Sequence, residues 1–390
     1  MHIALIGPCA PLDLEDLLDE DASIRARSFP GYRGIAVSVL ARELVKRGHR
    51  VSVVSASYEG IEHSECFHGT SLTIHVVPGR TRARARAKDL WLRERQSMTT
   101  VLQKINPDVV HAHWTYEFAL AALASGLPTL VTIRDAPLTI LRYYHDPYRA
   151  IRLILAIWVR AKQPQMTAVS GYMAEQWRRE MGWRRDIAII PNIAPFEPGT
   201  GEHKDPPAHR VVTVADSSRR KNVRAALRAW PLVLQAFPDA ELHLIGYGLG
   251  PLEDLALWAK RQALERQIVW HGHVERAELE DLIGSATALL HPSLEESLGN
   301  TLLEAMALSV PVVGGSQSGA VPWTVGGGGI MTDVRSPTAI AATVVDLLGD
   351  PERCARLGIT GRQRVTSVFS PDAVTSAYEE QYTAMLAEVP

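Results

Sequence analysis

The chain of 390 residues is 46% hydrophobic and 22% charged, enough apolar material for a large core and too little bias for a disordered, collagen-like or coiled-coil protein. At roughly 150 residues per domain its length predicts two domains. The formal net charge of −2 speaks against a protein built around nucleic acid, but it conceals a split. Residues 1–195 hold 25 Lys and Arg against 19 Asp and Glu, and residues 196–390 hold 16 against 24. Cys9, Cys66 and Cys354 are too few and too scattered for a disulfide framework or a zinc cluster, so a reducing, cytoplasmic setting is expected.

The opening Met1-His2-Ile3-Ala4-Leu5-Ile6-Gly7 reads as a buried first strand rather than a signal peptide. A long polar stretch to about Ser28 and a glycine loop, Pro30-Gly31-Tyr32-Arg33-Gly34, follow. Val37, Leu40, Ala41, Leu44 and Val45 then stand at helical spacing up to Gly48. Short strands are expected at Val51 to Val54, Asp108 to His113, Thr129 to Arg134, Thr167 to Ser170 and Ile187 to Ile190, with helix-length segments between them. Such alternation predicts a parallel sheet covered on both faces. Residues 193–209 contain four prolines and no periodicity, and are expected to link two domains. The alternation restarts at Val211 to Ala215, Glu241 to Ile245, Ile268 to His271, Ala288 to His291 and Val310 to Val313. Two helical segments, about Pro351 to Val368 and Pro371 to Leu386, close the chain. No apolar run reaches the ~20 residues that span a bilayer.

Ligands of open parallel sheets sit beyond the carboxyl ends of the strands, where helix N-termini present N–H groups. The segment from His291 to Gly315 has this form: a strand end, a loop carrying Glu296, and a helix opening near Gly299 with Glu304 in its second turn. N–H groups of Gly299, Asn300 and Thr301 suit an anion or hydroxyls there. Each carboxylate accepts two hydrogen bonds, so Glu296 and Glu304 suit two diols, such as a sugar ring and a ribose. Taken alone, the same pair would read first as surface or capping acids near a helix start.

Pro292-Ser293, Glu296, Leu298-Gly299 and Glu304-Ala305-Met306-Ala307, followed by Pro311-Val312-Val313, resemble the donor-site signature of retaining glycosyltransferases of family 4. The resemblance extends to Gly34, Pro107 to His113, Thr167 to Ser170, Ile190-Pro191-Asn192, Lys221-Asn222, Leu244 to Gly248, Gly272-His273-Val274 and Phe369-Ser370. It implies the GT-B fold, an α/β architecture of two Rossmann-like domains with parallel sheets facing a central cleft. The implied division is an acceptor-binding domain over 1–192, a linker over 193–209 and a nucleotide-sugar domain over 210–370. The last helix, about 371–390, would pack back on the first domain.

By the same resemblance Glu304 would hold the ribose, Glu296 the transferred sugar, and Lys221 the diphosphate. The amides of Leu298, Gly299 and Asn300 would assist, and Thr301, Gly272 and His273 complete that side. Relatives place an arginine five residues before the lysine, where this chain has Asp216; Arg219 or Arg220 is the expected substitute. Gly34 would admit a phosphate or sugar close to the backbone, or serve as a plain turn glycine. His113 would face the reacting sugar, making His113, Lys221 and Glu296 the catalytic set. Arg134-Asp135 lie on the acceptor side, Arg134 standing where relatives often carry histidine and suiting an anionic group. Trp323 stands where many relatives have glutamate.

His111 with His113, and His271 with His273, are spaced to share a strand face, but no third ligand follows and no metal or cofactor is expected. Gly246-Tyr247-Gly248-Leu249-Gly250 suggests a dinucleotide loop, but its third glycine is misplaced and no ribose-binding acid ends the next strand. The run Arg80 to Lys88, with Tyr143, Tyr144, Tyr148, Arg149, Arg152, Trp158 and Arg160, suits either an anionic membrane surface or a solvated helix face. The expected activity is retaining transfer of a hexose-type sugar from a nucleotide-diphosphate sugar, UDP-linked by preference. Its acceptor is a hydroxyl in glycan, glycolipid or glycoside synthesis, met in the cytoplasm or at the inner membrane face, with no nucleic-acid partner. Alternatives are a non-catalytic nucleotide-sugar binder, suggested by Asp216, Arg134 and Trp323, and an epimerase or phosphorylase of related fold.

Overall fold

The computed structural model describes residues 1–32, 34–195 and 209–387. Two compact units divide the chain, Met1–Ile193 with Pro371–Pro390, and Ala194–Ser370. Of the stretch expected to link domains, residues 196–208 lie outside the described residues.

The first unit holds β1 (His2–Ile6), β2 (Arg50–Ser57), β3 (Glu65–His68), β4 (Leu72–Pro78), β5 (Val109–His113), β6 (Thr129–Ile133), β7 (Gln165–Ala168) and β8 (Ala188–Ile189) in one sheet. Its order is β3-β4-β2-β1-β5-β6-β7-β8, parallel throughout except β3 against β4. β1 and β5 are buried on both faces because helices cover both, which is why their sequences run apolar rather than alternating. The helix Ile35–Lys46 turns Val37, Leu40, Ala41 and Leu44 onto Ile3, Leu5, Val51 and Val53. Each buried Val, Leu or Ile side chain among these contributes about 1.5–3 kcal/mol.

The second unit holds β9 (Arg210–Val214), β10 (Glu241–Ile245), β11 (Ile268–Gly272), β12 (Ala288–His291), β13 (Val312–Gly315) and β14 (Gly329–Thr332). They pair in parallel in the order β11-β10-β9-β12-β13-β14. Each sheet has one place where successive connections leave in opposite directions: between β1 and β5, and between β9 and β12. Crevices beyond the carboxyl ends of the strands open at such switch points.

The helix Pro371–Ala387 packs in the first unit, where Val374, Tyr378, Tyr382 and Met385 join the core of Ile3 and Leu5. Its Glu379 pairs with Arg47 at 2.7 Å and lies 2.7 Å from His49.

Several expected boundaries shift. The polar stretch after β1 contains a 3₁₀ segment, Pro11–Leu17, and a helix, Glu20–Ser28, that buries only Ala22 and Ala26. Two small residues four apart leave almost no apolar period to detect. β2 continues past Val54 to Ser57, because Ser55 Oγ accepts from the Cys9 amide at 3.2 Å and Ser57 Oγ donates to Pro30 O at 2.8 Å, so buried serines prolong a strand. β3, β4 and β14 were not expected; β14 follows the run Gly326 to Gly328, which reads as loop. Among the described residues no helix is long and apolar enough to cross a membrane.

Candidate active site

In the second unit the switch point lies between β9 and β12, and the residues around it converge on Glu296. Lys221 Nζ stands 2.5 Å from Glu296 Oε1 and Arg220 Nη1 stands 3.3 Å from Oε2. Both cations come from the turn after β9, which is tied to the loop after β12 by Leu294 N donating to Arg220 O at 2.8 Å. Asn222 strengthens the tie, its Nδ2 donating to Pro292 O at 3.1 Å and Val334 O at 2.8 Å. The Glu296 backbone is itself pinned: its N–H reaches Ser318 O at 3.3 Å and its carbonyl accepts from Ala320 N at 2.9 Å.

His291, at the end of β12, completes the arrangement. Its Nε2 lies 3.2 Å from Glu296 Oε1 and its Nδ1 lies 3.3 Å from Thr301 Oγ1. Burial lowers the His291 pKa, with Lys221 and Arg220 adding to the shift against the opposing pull of Glu296. The neutral ring that donates from Nε2 to the carboxylate and accepts from Thr301 satisfies both contacts.

Gly299 begins the helix Asn300–Ala307 at φ +89°, where a Cβ would meet Leu302 Cδ1 at 2.6 Å. Only glycine fits this left-handed turn, and it leaves the first N–H groups of the helix at the loop carrying Glu296. Leu298 is buried and its carbonyl accepts from Thr324 Oγ1 at 2.7 Å, fixing the approach to that turn.

The two glutamates are tuned in opposite directions. Burial would raise the Glu296 pKa, but Lys221, His291 and Arg220 hold its carboxyl well below the usual range. Glu304 is 5% exposed, its Oε2 has no hydrogen-bond partner among the described residues, and burial pushes its pKa up to about 7. One carboxylate is therefore fixed as an anion beside two cations. The other is held where hydroxyl donors would stabilise its ionised form.

The remaining expected donor-side residues are placed as follows. Arg220 turns onto Glu296 whereas Arg219 is exposed. Asp216 caps its own turn, Oδ1 accepting from Ser218 N at 2.8 Å. Gly272 ends β11 at φ +71°, so His273 leaves the strand and stacks on Tyr247 with ring centroids 4.3 Å apart. His271 instead meets His243 at 3.0 Å, and the expected shared face of His271 and His273 does not exist. Trp323 packs edge-on against Phe369, and Arg364 holds its carbonyl at 2.6 Å. Among the described residues no cluster of three or more His, Cys, Asp or Glu side chains is arranged to hold a metal ion.

In the first unit His113 ends β5 and Arg134 follows β6. Arg134 Nε and Nη2 donate to His113 Nδ1 at 3.1 and 2.6 Å, and Nη1 donates to Asn192 Oδ1. Burial, with His111 and Arg134 nearby, lowers the His113 pKa well below its ordinary value. Asp135 accepts from Tyr116 Oη at 2.7 Å. Behind His113, 4.2 Å away between ring centroids, lies His111, which bonds Thr132 Oγ1 at 2.6 Å and Tyr382 Oη at 2.7 Å. The closing helix of the chain thus buttresses the strand end that carries His113. Gly34 lies where a Cβ would come within 2.2 Å of Pro8 O, so glycine is required there by the loop after β1.

Two features escaped the sequence reading. His291 looked like a buried strand residue; its spacing to Glu296 is the one signal that could have marked it. Trp114, at φ +72° directly after His113, carries a strain that sequence does not reveal. The basic and aromatic stretch is also partly internal. Arg80 pairs with Glu94 at 2.6 Å and Asp89 at 2.8 Å, and Arg86 lies over the Tyr58 ring at 4.2 Å. Arg152 pairs with Glu117 at 3.4 Å and covers the Tyr116 ring at 4.1 Å.

Comparison with known proteins gives these arrangements a family. Residues 33–197 match the model described as Glycosyltransferase Family 4, and residues 208–350 the model described as Glycosyl transferases group 1. The chain is 23% identical over 383 residues to the N-acetyl-alpha-D-glucosaminyl L-malate synthase of Bacillus anthracis, covering 92% of this chain and 95% of the relative. It is 30% identical over 310 residues to the D-inositol 3-phosphate glycosyltransferase of Streptomyces avermitilis, covering 72% of this chain and 66% of the relative. Its fold is similar to that of the sucrose-phosphate synthase of Thermosynechococcus elongatus, with TM-score 0.73 and 18% identity over 99% of each chain. It is also similar to that of Anabaena HepE, with TM-score 0.70 and 16% identity over 98% of this chain and 100% of the other. With two parallel Rossmann-like sheets and both family models matched, the chain belongs to the family 4 glycosyltransferases of GT-B fold and is a glycosyltransferase.

Proposed function

We propose that the unit Ala194–Ser370 binds a nucleotide-diphosphate sugar, UDP-linked by preference, and that the enzyme transfers its hexose to an acceptor hydroxyl with retention of configuration. The observation that carries this reading is Glu304, a buried carboxylate with an unpartnered oxygen beside a helix start, a few residues from a second carboxylate clamped by two cations. Glu304 is assigned to the ribose hydroxyls and Glu296 to hydroxyls of the transferred sugar. Lys221 and Arg220 are assigned to the diphosphate, where they take up the charge that develops as it departs. The preference for UDP is supported by the structure of HepE solved with UDP and glucose.

In the proposed reaction the bond between the anomeric carbon and the phosphate oxygen breaks and the acceptor oxygen joins the same face. The acceptor proton passes to the departing phosphate oxygen. No protein base is required, in keeping with a neutral His113 whose Nδ1 is already occupied by Arg134. Charge neutralisation is assigned to Arg220 and Lys221 rather than to a metal. With α-linked UDP-glucose or UDP-N-acetylglucosamine as donor, proton NMR of the product should show an α-linkage; a β-linked product would overturn retention.

Peripheral membrane contact belongs to the same proposal. The helix Pro147–Ala161 exposes Ile154, Ile157 and Trp158, and it touches the short helix Ala83–Ala87, next to the exposed Arg82 and Lys88. An apolar stripe edged by positive charge suits an anionic lipid surface. The protein should pellet with phosphatidylglycerol vesicles at low salt and be released at high salt; no pelleting at low salt would remove this part.

A further inference from the structure

Among the described residues Arg134 has no counter-ion. Among the described residues no carboxylate lies within ion-pair range of its guanidinium, and the adjacent Asp135 is engaged by Tyr116. All its recorded partners are neutral groups, the His113 ring and the Asn192 amide. A partly buried guanidinium among neutral partners is unusual, because charges withdrawn from water are ordinarily paired. Of its five N–H donors, Nε, one on Nη1 and one on Nη2 are used, leaving one N–H on each terminal nitrogen without a recorded acceptor.

The contact with His113 is informative in a second way. Both Arg134 donors reach Nδ1, so that nitrogen carries the lone pair and the ring proton resides on Nε2. His113 Nε2 is buried and has no hydrogen-bond partner among the described residues, so a second donor at this strand end is also unanswered there. The cluster stands at the carboxyl ends of β5 and β6, beside the switch point between β1 and β5, where parallel-sheet ligand sites lie. Its donors and its net positive charge fit an oxyanion, which two terminal N–H groups of an arginine hold well.

We propose that Arg134, held in place by His113 and Asn192, binds a carboxylate or phosphate group of the acceptor, so that the enzyme glycosylates an anionic acceptor. This rests on the reading of the chain as a nucleotide-sugar transferase with its acceptor in the first unit. It goes further by giving the acceptor a charge.

The test is calorimetric titration of the wild type, Arg134→Gln and Arg134→Lys with succinate, with inorganic phosphate and with UDP, the first two repeated in saturating UDP. The UDP occupies the nucleotide's own phosphate site and removes that source of phosphate binding. The wild type is expected to bind succinate or phosphate saturably even with UDP present. Arg134→Gln should weaken this at least tenfold and Arg134→Lys less, with UDP affinity unchanged within twofold in all three. The proposal is overturned if neither oxyanion saturates the wild type, a result that needs no folded variant. It is equally overturned if Arg134→Gln binds the oxyanion as well as the wild type. Parallel weakening of UDP and oxyanion would give Arg134 to the donor diphosphate and overturn it too. A wild type that binds an oxyanion through Arg134 but binds none of UDP, GDP, ADP and dTDP keeps the oxyanion site and sinks the nucleotide-sugar reading, so the two failures are told apart.

Discussion

Replacing Lys221 with alanine is expected to lower turnover about 10²–10³-fold, the usual loss when a preorganised group opposite developing charge is removed. Donor affinity should fall much less, because the charge on the phosphate is greatest as it leaves. The fold should survive the change. Arg220 at 3.3 Å and His291 at 3.2 Å still accompany the Glu296 carboxylate, so it is not stranded as an unpaired buried anion. Initial rates at saturating donor, with the thermal midpoint as a control for folding, check this. Turnover within threefold of the wild type would take the diphosphate role from Lys221.

Glu304→Gln is expected to raise stability above pH 7 while weakening donor binding. Burial moves this carboxyl from an ordinary 4.5 to about 7. Between those values the folded protein keeps a proton that the unfolded chain has released, so stability falls as pH rises through this window. Moving a carboxyl over that range costs about 3 kcal/mol once it is ionised in the native state. Glutamine removes the ionisation and hence the cost. At pH 8 the variant should therefore melt several degrees above the wild type, and at pH 4 the two should coincide. A wild type whose stability is flat between pH 5 and 8 relative to the variant would show that Glu304 is not a buried, unanswered carboxyl. In the proposed complex the ribose hydroxyls would complete the hydrogen bonds of Glu304 and offset that cost.

How far the sequence disclosed this architecture depends on what kind of signal each part leaves. The alternation of apolar strands and helices is a periodic signal, and most of the parallel strands were legible from it to within a few residues. β3 and β4 were not, because the Glu65–His68 edge strand has a half-polar pattern, and β14 was hidden behind three glycines. In the site, the spacing of Glu296 and Glu304 was legible, but their opposite ionisation was not. It arises from Lys221 and Arg220, some 75 residues earlier in the chain, and from burial. Arg219 and Arg220 are neighbours on one turn and cannot be distinguished by pattern; only the turn itself sends one to Glu296 and the other to solvent. The pairing of Arg80 was illegible for a related reason. Its partners Asp89 and Glu94 lie one helix away, so a charge that looks free in sequence is spent internally.

The first-half excess of basic residues takes a different meaning from this. Part of it is consumed by Glu94, Asp89 and Glu117, part is left exposed near the helix Pro147–Ala161, and one member, Arg134, stands at a strand end with neutral partners.

Whether Glu304 and the residues around Glu296 form a nucleotide-sugar site is decided by a calorimetric titration at pH 8. Wild type and Glu304→Ala would be titrated with UDP-, GDP-, ADP- and dTDP-linked sugars. At least one donor, UDP-linked first, is expected to saturate the wild type and to bind the variant at least tenfold more weakly. Equal affinity of the two proteins for every donor, or no binding by the wild type, would contradict this assignment of the site.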